Sequence, residues 1–366
     1  MCEGNVASAQ YFAKSAFKTV PVTDAVGMAL AHDVTEIRPG EFKGRAFKKG
    51  HIIRADDVCH LQRLGKDKVY VLNISEDEMH EDDAAKALAS SLMGPGVALS
   101  GEPKEGRIDL LAAWDGLLKV NVEALEKFNM VGDVMCATLH DNTLVKKDVR
   151  VAGTRAIPLV IKRSVVKTAV SVARDGIVEV RKMRKPRAGV VITGNEVYHG
   201  RIQDGFAPII REKIERFDGE VVSLSYAPDD VEHIERKLRE CLEAGADLLV
   251  TTGGMSVDPD DVTRFAIRKL GATDLVYGSA VLPGAMLLVA YIENEQDGGS
   301  VPVMGVPACA LYHKATVFDL VLPRILAGEH IGTPELARLG HGGLCLNCKE
   351  CRYPVCPFGK LALPVL

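Results

Sequence analysis

The 366-residue sequence has no apolar run long enough to span a bilayer. Its best stretch, residues 281–292, is broken by Pro283 and Gly284. The N-terminus, MCEGNVASAQYFAKSAF, lacks the charged-then-apolar pattern of a secretory leader. Charge of one sign is not in excess. The formal net charge is −4, so nothing draws the whole chain to nucleic acid or to an anionic membrane surface. No repeat of fixed period is visible. A disulfide framework is missing too: five of the nine cysteines, Cys2, Cys59, Cys136, Cys241 and Cys309, are scattered. Such a set in a large chain points to reduced thiols. Together these absences make the cytoplasm the expected compartment.

What is present is ordinary globular material. Hydrophobic residues make up 47% and charged residues 26%, enough to build a real core, and the length allows two or three domains. Residues 1–180 mix short β-like runs with loops and read as a β-rich α+β region. Within it, VPVTDAVGMALAHDVTEI suggests a strand, a helix over 24–31 opened by Asp24 as N-cap, and another strand. A further helix is expected near 55–64, followed by a strand at 68–72. The segment 181–187, RKMRKPR, holds five basic residues in seven and reads as a solvated linker, with 181–186 as the boundary.

Residues 187–330 alternate between strand and helix signals. RAGVVIT and ADLLVTT are fully apolar strands. FAPIIREKIERF (206–217) and DDVEHIERKLRECLEAG (229–245) are amphipathic helices. The second has Asp229 or Asp230 at its start and Gly245 past its end. PDDVTRFAIRKLG (259–271) suggests a third helix, and ACALYHKATVFDLVLPRILAG a closing one. The alternation predicts an α/β domain: three layers, helices on both faces of a mixed, largely parallel sheet.

Ligands of such sheets lie beyond the carboxyl ends of the strands. Three ends carry informative residues. The first is Thr193-Gly194-Asn195-Glu196, followed by Gly200 and Asp204. The second is Thr251-Thr252-Gly253-Gly254-Met255-Ser256, leading to Asp258-Pro259-Asp260-Asp261. The third is Met304-Gly305-Val306-Pro307. Gly253 and Gly254 permit a sharp turn and close backbone approach, and N–H groups beside a helix start suit a phosphate. Carboxylates beside phosphates commonly share a Mg²⁺. Asp258 reads as a cap and Asp260 as helix-dipole compensation. Glu196, Asp204 and Asp261 read as functional.

At these residues the sequence resembles the molybdopterin-binding domain family, which includes molybdopterin adenylyltransferases and molybdotransferases. Thr193-Gly194-Asn195-Glu196…Gly200…Asp204 looks like the molybdotransferase TGDEL…G…D motif. Thr252-Gly253-Gly254-Met255-Ser256-Val257 looks like its SGGVSV loop. Pro259-Asp260-Asp261-Val262-Thr263 is similar to the adenylyltransferase PRDVT, and Gly305-Val306-Pro307 falls where the family has GLP. AVGMALAHDV and the stretch 46–71 resemble the opening of the molybdotransferase. The resemblance implies a molybdopterin ligand, or its adenylylated form, held by Thr193, Gly194, Thr252, Gly253, Gly254, Met255, Ser256, Pro283, Gly284 and Pro307. It implies Asp261 near the reacting phosphate, Glu196 and Asp204 serving metal or molybdate, and a homodimer.

The sequence departs from the family where catalysis would need it most. A DNSAMDGYA segment is absent from residues 30–60. PGKP becomes Pro283-Gly284-Ala285-Met286, without the lysine. LPGNP becomes Val306-Pro307-Ala308-Cys309-Ala310, and only about 40 residues follow the closing helix in place of a β domain. Losing a cation that would steady an oxyanion shifts the expectation from molybdate insertion toward binding. The Gly-Gly loop with Pro-Asp-Asp-Val-Thr also resembles the competence-damage-inducible family, whose members cleave ADP-ribose with a divalent metal. Three functions stay open: a divergent molybdotransferase, a non-catalytic cofactor carrier or sensor that docks a molybdoenzyme or maturation partner, and a nucleotide pyrophosphatase.

The last segment, 331–366, is Cys-rich. Cys345, Cys348, Cys351 and Cys356 follow the pattern C-x2-C-x2-C-x4-C-P. Four thiols so close suggest a metal. The spacing is similar to the bacterial ferredoxin run, with one extra residue, and equally suits a zinc site made of four cysteines. His341 is a further donor.

Overall fold

The computed structural model describes residues 17–38, 42–72, 74–254, 261–293 and 298–360. The first core is small. Antiparallel strands Phe17–Pro21 and Lys68–Leu72 enclose it with the hairpin strands Val34–Arg38 and Phe42–Phe47 and the helix Ala55–Arg63. Leu30, Ile53 and Leu61 fill its centre. The helix expected over 24–31 does not form. A short 3-10 turn, Val22–Asp24, gives way to a bend at Gly27, and the next backbone groups bond across the core. Leu30 N–H donates to the His51 carbonyl and Ala31 N–H to that of Tyr70. Cross-fold partners thereby replace the local helical ones, and Asp24 ends the 3-10 turn instead of opening a helix.

A second core spans residues 84–180. The helix Glu81–Leu92 buries Ala84, Ala85, Leu88, Ala89 and Leu92 on one stripe, against the strands Arg107–Ala112 and Arg150–Ala156. The basic segment that follows is docked. The Lys182 ammonium lies 4.6 Å from the centre of the Trp114 ring, and Arg184 pairs with Asp247. Arg184 N–H also donates to the Leu326 carbonyl.

The third unit carries the α/β pattern. Its six strands lie in the order Glu220–Ala227, Arg187–Thr193, Leu248–Thr252, Ser300–Val306, Leu288–Glu293, Thr273–Tyr277. The first four are mutually parallel, and Leu288–Glu293 is antiparallel to both its neighbours. The mixed, largely parallel sheet expected from the sequence is therefore present. Central strands such as Leu248–Thr252 are buried at every position because helices cover both faces. Val190, Ile192 and Val250 face the helices Phe206–Glu215 and Val317–Leu326. Val191 and Leu249 face Val231–Glu243 and Thr263–Lys269.

Helix starts follow their caps. The Asp230 carboxylate accepts from His233 N–H at 2.8 Å, as expected for the helix it opens, and Gly245 follows the end with a positive φ. The closing helix is shorter than its apolar run suggests. Residues 308–311 form a 3-10 turn, and the α-helix begins only after Thr316, whose N–H donates to Asp319 while its hydroxyl accepts from Phe318 N–H. Asp319 also pairs with Lys213, both largely buried. Of the third helix expected over 259–271, residues 259 and 260 lie outside the described residues, and the helix observed is Thr263–Lys269.

The second and third units meet through ions. Lys119 reaches Glu329 at 2.8 Å, and Arg324 reaches it at 2.9 Å. Burial acts to raise the Glu329 pKa, but the Lys119 and Arg324 contacts outweigh it and hold the carboxyl below the usual glutamate range. Its stabilisation is therefore complete above that range and is lost as the pH falls through the lowered value. Lys119→Met is expected to cost about 1.5–3 kcal/mol at neutral pH. It should also flatten the acid limb of stability measured by urea unfolding; an acid limb identical to that of the parent would refute this role.

Candidate functional site

The carboxyl ends of three adjacent parallel strands converge on the Gly253-Gly254 turn. Both glycines have positive φ. A Cβ on Gly253 would collide with the Thr193 carbonyl, and one on Gly254 with the Thr263 hydroxyl. The Thr193 hydroxyl, buried, donates to the Thr252 carbonyl at 2.9 Å and lies 3.2 Å from the Thr263 hydroxyl. Thr263 donates to the Gly253 carbonyl at 3.1 Å. The turn is thus pinned from the neighbouring strand Arg187–Thr193 and from the following helix, which leaves its outer surface as bare backbone.

Beyond the turn opens a cleft of about 710 Å³. Gly253, Gly254 and Asp261 form one side, Pro283 through Met286 a second, and Pro307 through Cys309 a third. The Pro283-Gly284 loop is held tightly. Pro283 carbonyl accepts from Val317 N–H, and Val317 fills the space a Gly284 side chain would need. This explains why the closing helix must begin where it does. The fourth wall is Leu344, Cys345 and Asn347 from the Cys-rich segment. Leu282 N–H donates to the Gly343 carbonyl, and Cys345 N–H to the Leu282 carbonyl at 2.8 Å.

The structure thereby brings together Gly253, Gly254, Asp261, Pro283, Gly284, Pro307 and Cys345. Thr193 and Thr252 support the turn from beneath. Met255 and Ser256, like Asp258, Pro259 and Asp260, lie outside the described residues. Gly194, Glu196 and Asp204 belong to the adjoining strand end and do not line the cleft. Glu196 is on a short helix, Asn195–Tyr198, with its carboxylate curled over Gly194. Asp204 accepts from Phe206 N–H at 2.7 Å and Ala207 N–H at 3.0 Å, so it serves the start of a helix. The Tyr226 hydroxyl donates to it at 3.3 Å; burial and the Asp204 charge raise the tyrosine pKa.

No lysine or arginine lines the cleft among the described residues; its polar side chains are Asp261, His313 and Asn347. Burial raises the Cys309 thiol above its ordinary value, so it stays neutral at pH 7. His313 and Asn347 escaped the sequence reading. Neither carries a motif signal of its own, and only the path of the chain brings it to the strand ends. The four clustered cysteines line a second hollow of about 300 Å³ adjoining the cleft. Among the described residues, no three Cys, His, Asp or Glu side chains converge closely enough to hold a metal ion. No helix among them is long and apolar enough to cross a membrane.

Residues 189–327 match the model of a family described as a probable molybdopterin binding domain. Residues 19–73 match a family described as a domain of unknown function, DUF8806. A CinA-like protein of Mycobacterium avium is 35% identical over 95 residues, 26% of this chain and 22% of that protein. One from Mycobacterium tuberculosis is 38% identical over 90 residues, covering 25% and 21%. The chain thus spans about a fifth of the length of these curated relatives. Among solved structures, the tungsten cofactor synthesizing protein MoaB from Pyrococcus furiosus is 21% identical, with a TM-score of 0.33, over 40% of this chain and 97% of that one. CinA from Thermoplasma acidophilum is 19% identical, with a TM-score of 0.30, over 34% and 89%.

Gly253→Ala and Gly254→Ala are each expected to cost about 1–3 kcal/mol from backbone strain alone, and more from the collisions. Thr263→Val should lower stability by about 1–3 kcal/mol through the unsatisfied carbonyl and hydroxyl left behind. Thermal unfolding of the three variants checks this, and parent-like midpoints would contradict the pinned turn.

Proposed function

From the premise that residues 189–327 match the molybdopterin-binding domain family, we propose that this cleft binds molybdopterin or its adenylylated form. The protein then acts in the biosynthesis or handling of the molybdenum cofactor. The observation that carries this reading is the Gly253-Gly254 turn: bare backbone, fixed by two threonine hydroxyls, facing a cleft. Phosphate oxygens are met there by backbone N–H groups rather than by side-chain cations. Leu282 and Leu344, both exposed at the rim, offer flat apolar contact to a fused ring.

Mg²⁺ needs only one or two carboxylates when substrate phosphates supply other oxygens. Asp261 is the carboxylate on the cleft wall that fits this role. When bound, the ion would neutralise phosphate charge in a cleft whose described lining holds no lysine or arginine. Ala285 occupies the position where the family's lysine would stand. Asp204 is committed to a helix start and Glu196 to the adjoining strand end. These features favour a carrier or sensor, with docking to a molybdoenzyme or maturation partner, over insertion of molybdate. The same turn, with Asp261-Val262-Thr263 after it, also suits a second reading, Mg²⁺-dependent cleavage of a diphosphate such as ADP-ribose.

Incubation of the full chain with molybdopterin, followed by oxidation and pterin fluorescence, is expected to show retained pterin. Asp261→Asn should weaken Mg²⁺-dependent retention by about tenfold, or ~1.4 kcal/mol. AMP release from the adenylylated form with molybdate would establish insertion; tight retention without release identifies a carrier. Absence of pterin retention together with ADP-ribose turnover would replace this reading with the pyrophosphatase.

A further inference from the structure

The Cys-rich segment is anchored at both ends and loose between them. At its start, Leu344 and Cys345 pair with Leu282 at the cleft rim. At its end, Phe358 is buried in the core of the α/β unit, and the Tyr353 hydroxyl donates to the Asp319 carbonyl at 3.2 Å. Residues 346–352 between these anchors are exposed, and no helix or strand is present from 345 to 360. Leu346 and Val355 stay exposed, so apolar burial does not hold this loop.

All four clustered thiols nevertheless line one hollow. The first turn has a specific geometry. Asn347 adopts positive φ, and its N–H donates to Cys345 Sγ at 3.4 Å. A backbone N–H aimed at sulfur is the kind of outer hydrogen bond that metal-bound sulfur accepts. Cys348 and Cys351 are on the exposed stretch, so closing the loop around a metal would break no helix or strand.

We propose that Cys345, Cys348, Cys351 and Cys356 bind one tetrathiolate metal centre, which cross-links this loop and fixes the Leu344–Asn347 wall of the cleft. Each bound thiol gives its proton to solvent, and metal–sulfur bonds replace the S–H bonds. Four thiolates suit a zinc ion or an iron–sulfur cluster alike. The proposal stands independently of what the cleft binds.

The full chain, reduced and kept anaerobic, is reconstituted separately with Zn²⁺ and with iron plus sulfide. Metal is counted by elemental analysis, and Co²⁺ replaces zinc to reveal sulfur-to-metal charge-transfer absorption. About one zinc or one cluster per chain is expected. It should be lost in the Cys348→Ser/Cys351→Ser double variant and kept in Cys59→Ser. Because Cys348 and Cys351 are exposed, circular dichroism should show the double variant folded. Loading should slow tryptic cleavage after Lys349 and Arg352 by at least about tenfold, as expected when an open loop is closed. Substoichiometric binding of both metals, a centre that persists in the double variant, or an unchanged cleavage rate would each overturn the proposal.

Discussion

The Gly253-Gly254 turn is the constraint on which the rest of the site depends. Two successive glycines with positive φ are needed because the Thr193 carbonyl and the Thr263 hydroxyl occupy the space any Cβ would take. The same two residues supply the hydroxyls that fix the turn. Strand, turn and helix are locked by one small polar cluster buried at the strand ends. Helix Thr263–Lys269 begins at the residue whose hydroxyl reaches back to Gly253. The outcome is a turn of two glycines that faces the cleft as bare backbone.

The neighbouring loops obey similar constraints. Pro283-Gly284 is held between the first turn of the closing helix and the segment that carries Cys345. The start of that helix is set in turn by Thr316, Asp319 and Lys213. A polar network beneath the cleft thus decides where its walls stand. Its chemistry is correspondingly spare among the described residues: one carboxylate, one imidazole, one amide, and the thiols of Cys309, which burial keeps neutral, and Cys345. Of the carboxylates at Glu196 and Asp204, the latter spends both oxygens on backbone N–H groups.

Much of the α/β unit was legible in the sequence. Short apolar runs such as those within Arg187–Thr193 and Leu248–Thr252 suit strands covered on both faces, and Asp230 and Gly245 bracket a helix by their conformational preferences. Less legible were elements whose backbone groups find distant partners. Residues 24–31 carry a helical pattern, yet Leu30 and Ala31 bond to His51 and Tyr70 instead. The segment from 308 reads as one helix, but Thr316 caps a separate one that begins at Val317.

Local residue chemistry was enough to determine the Gly-Gly turn, the alternation of strands and helices, and the crowding of four thiols, because each depends on neighbours within a few positions. Tertiary structure alone decided which of these meet. Gly253, Pro283, Pro307 and Cys345 are far apart in the chain and share one cleft because three strand ends and a docked tail converge there. Glu196 and Asp204, much nearer to Gly253 in sequence than Cys345 is, fall outside its lining. Backbone path, rather than sequence distance, sets that outcome, since the tail is tied to Leu282 by hydrogen bonds that no local pattern announces.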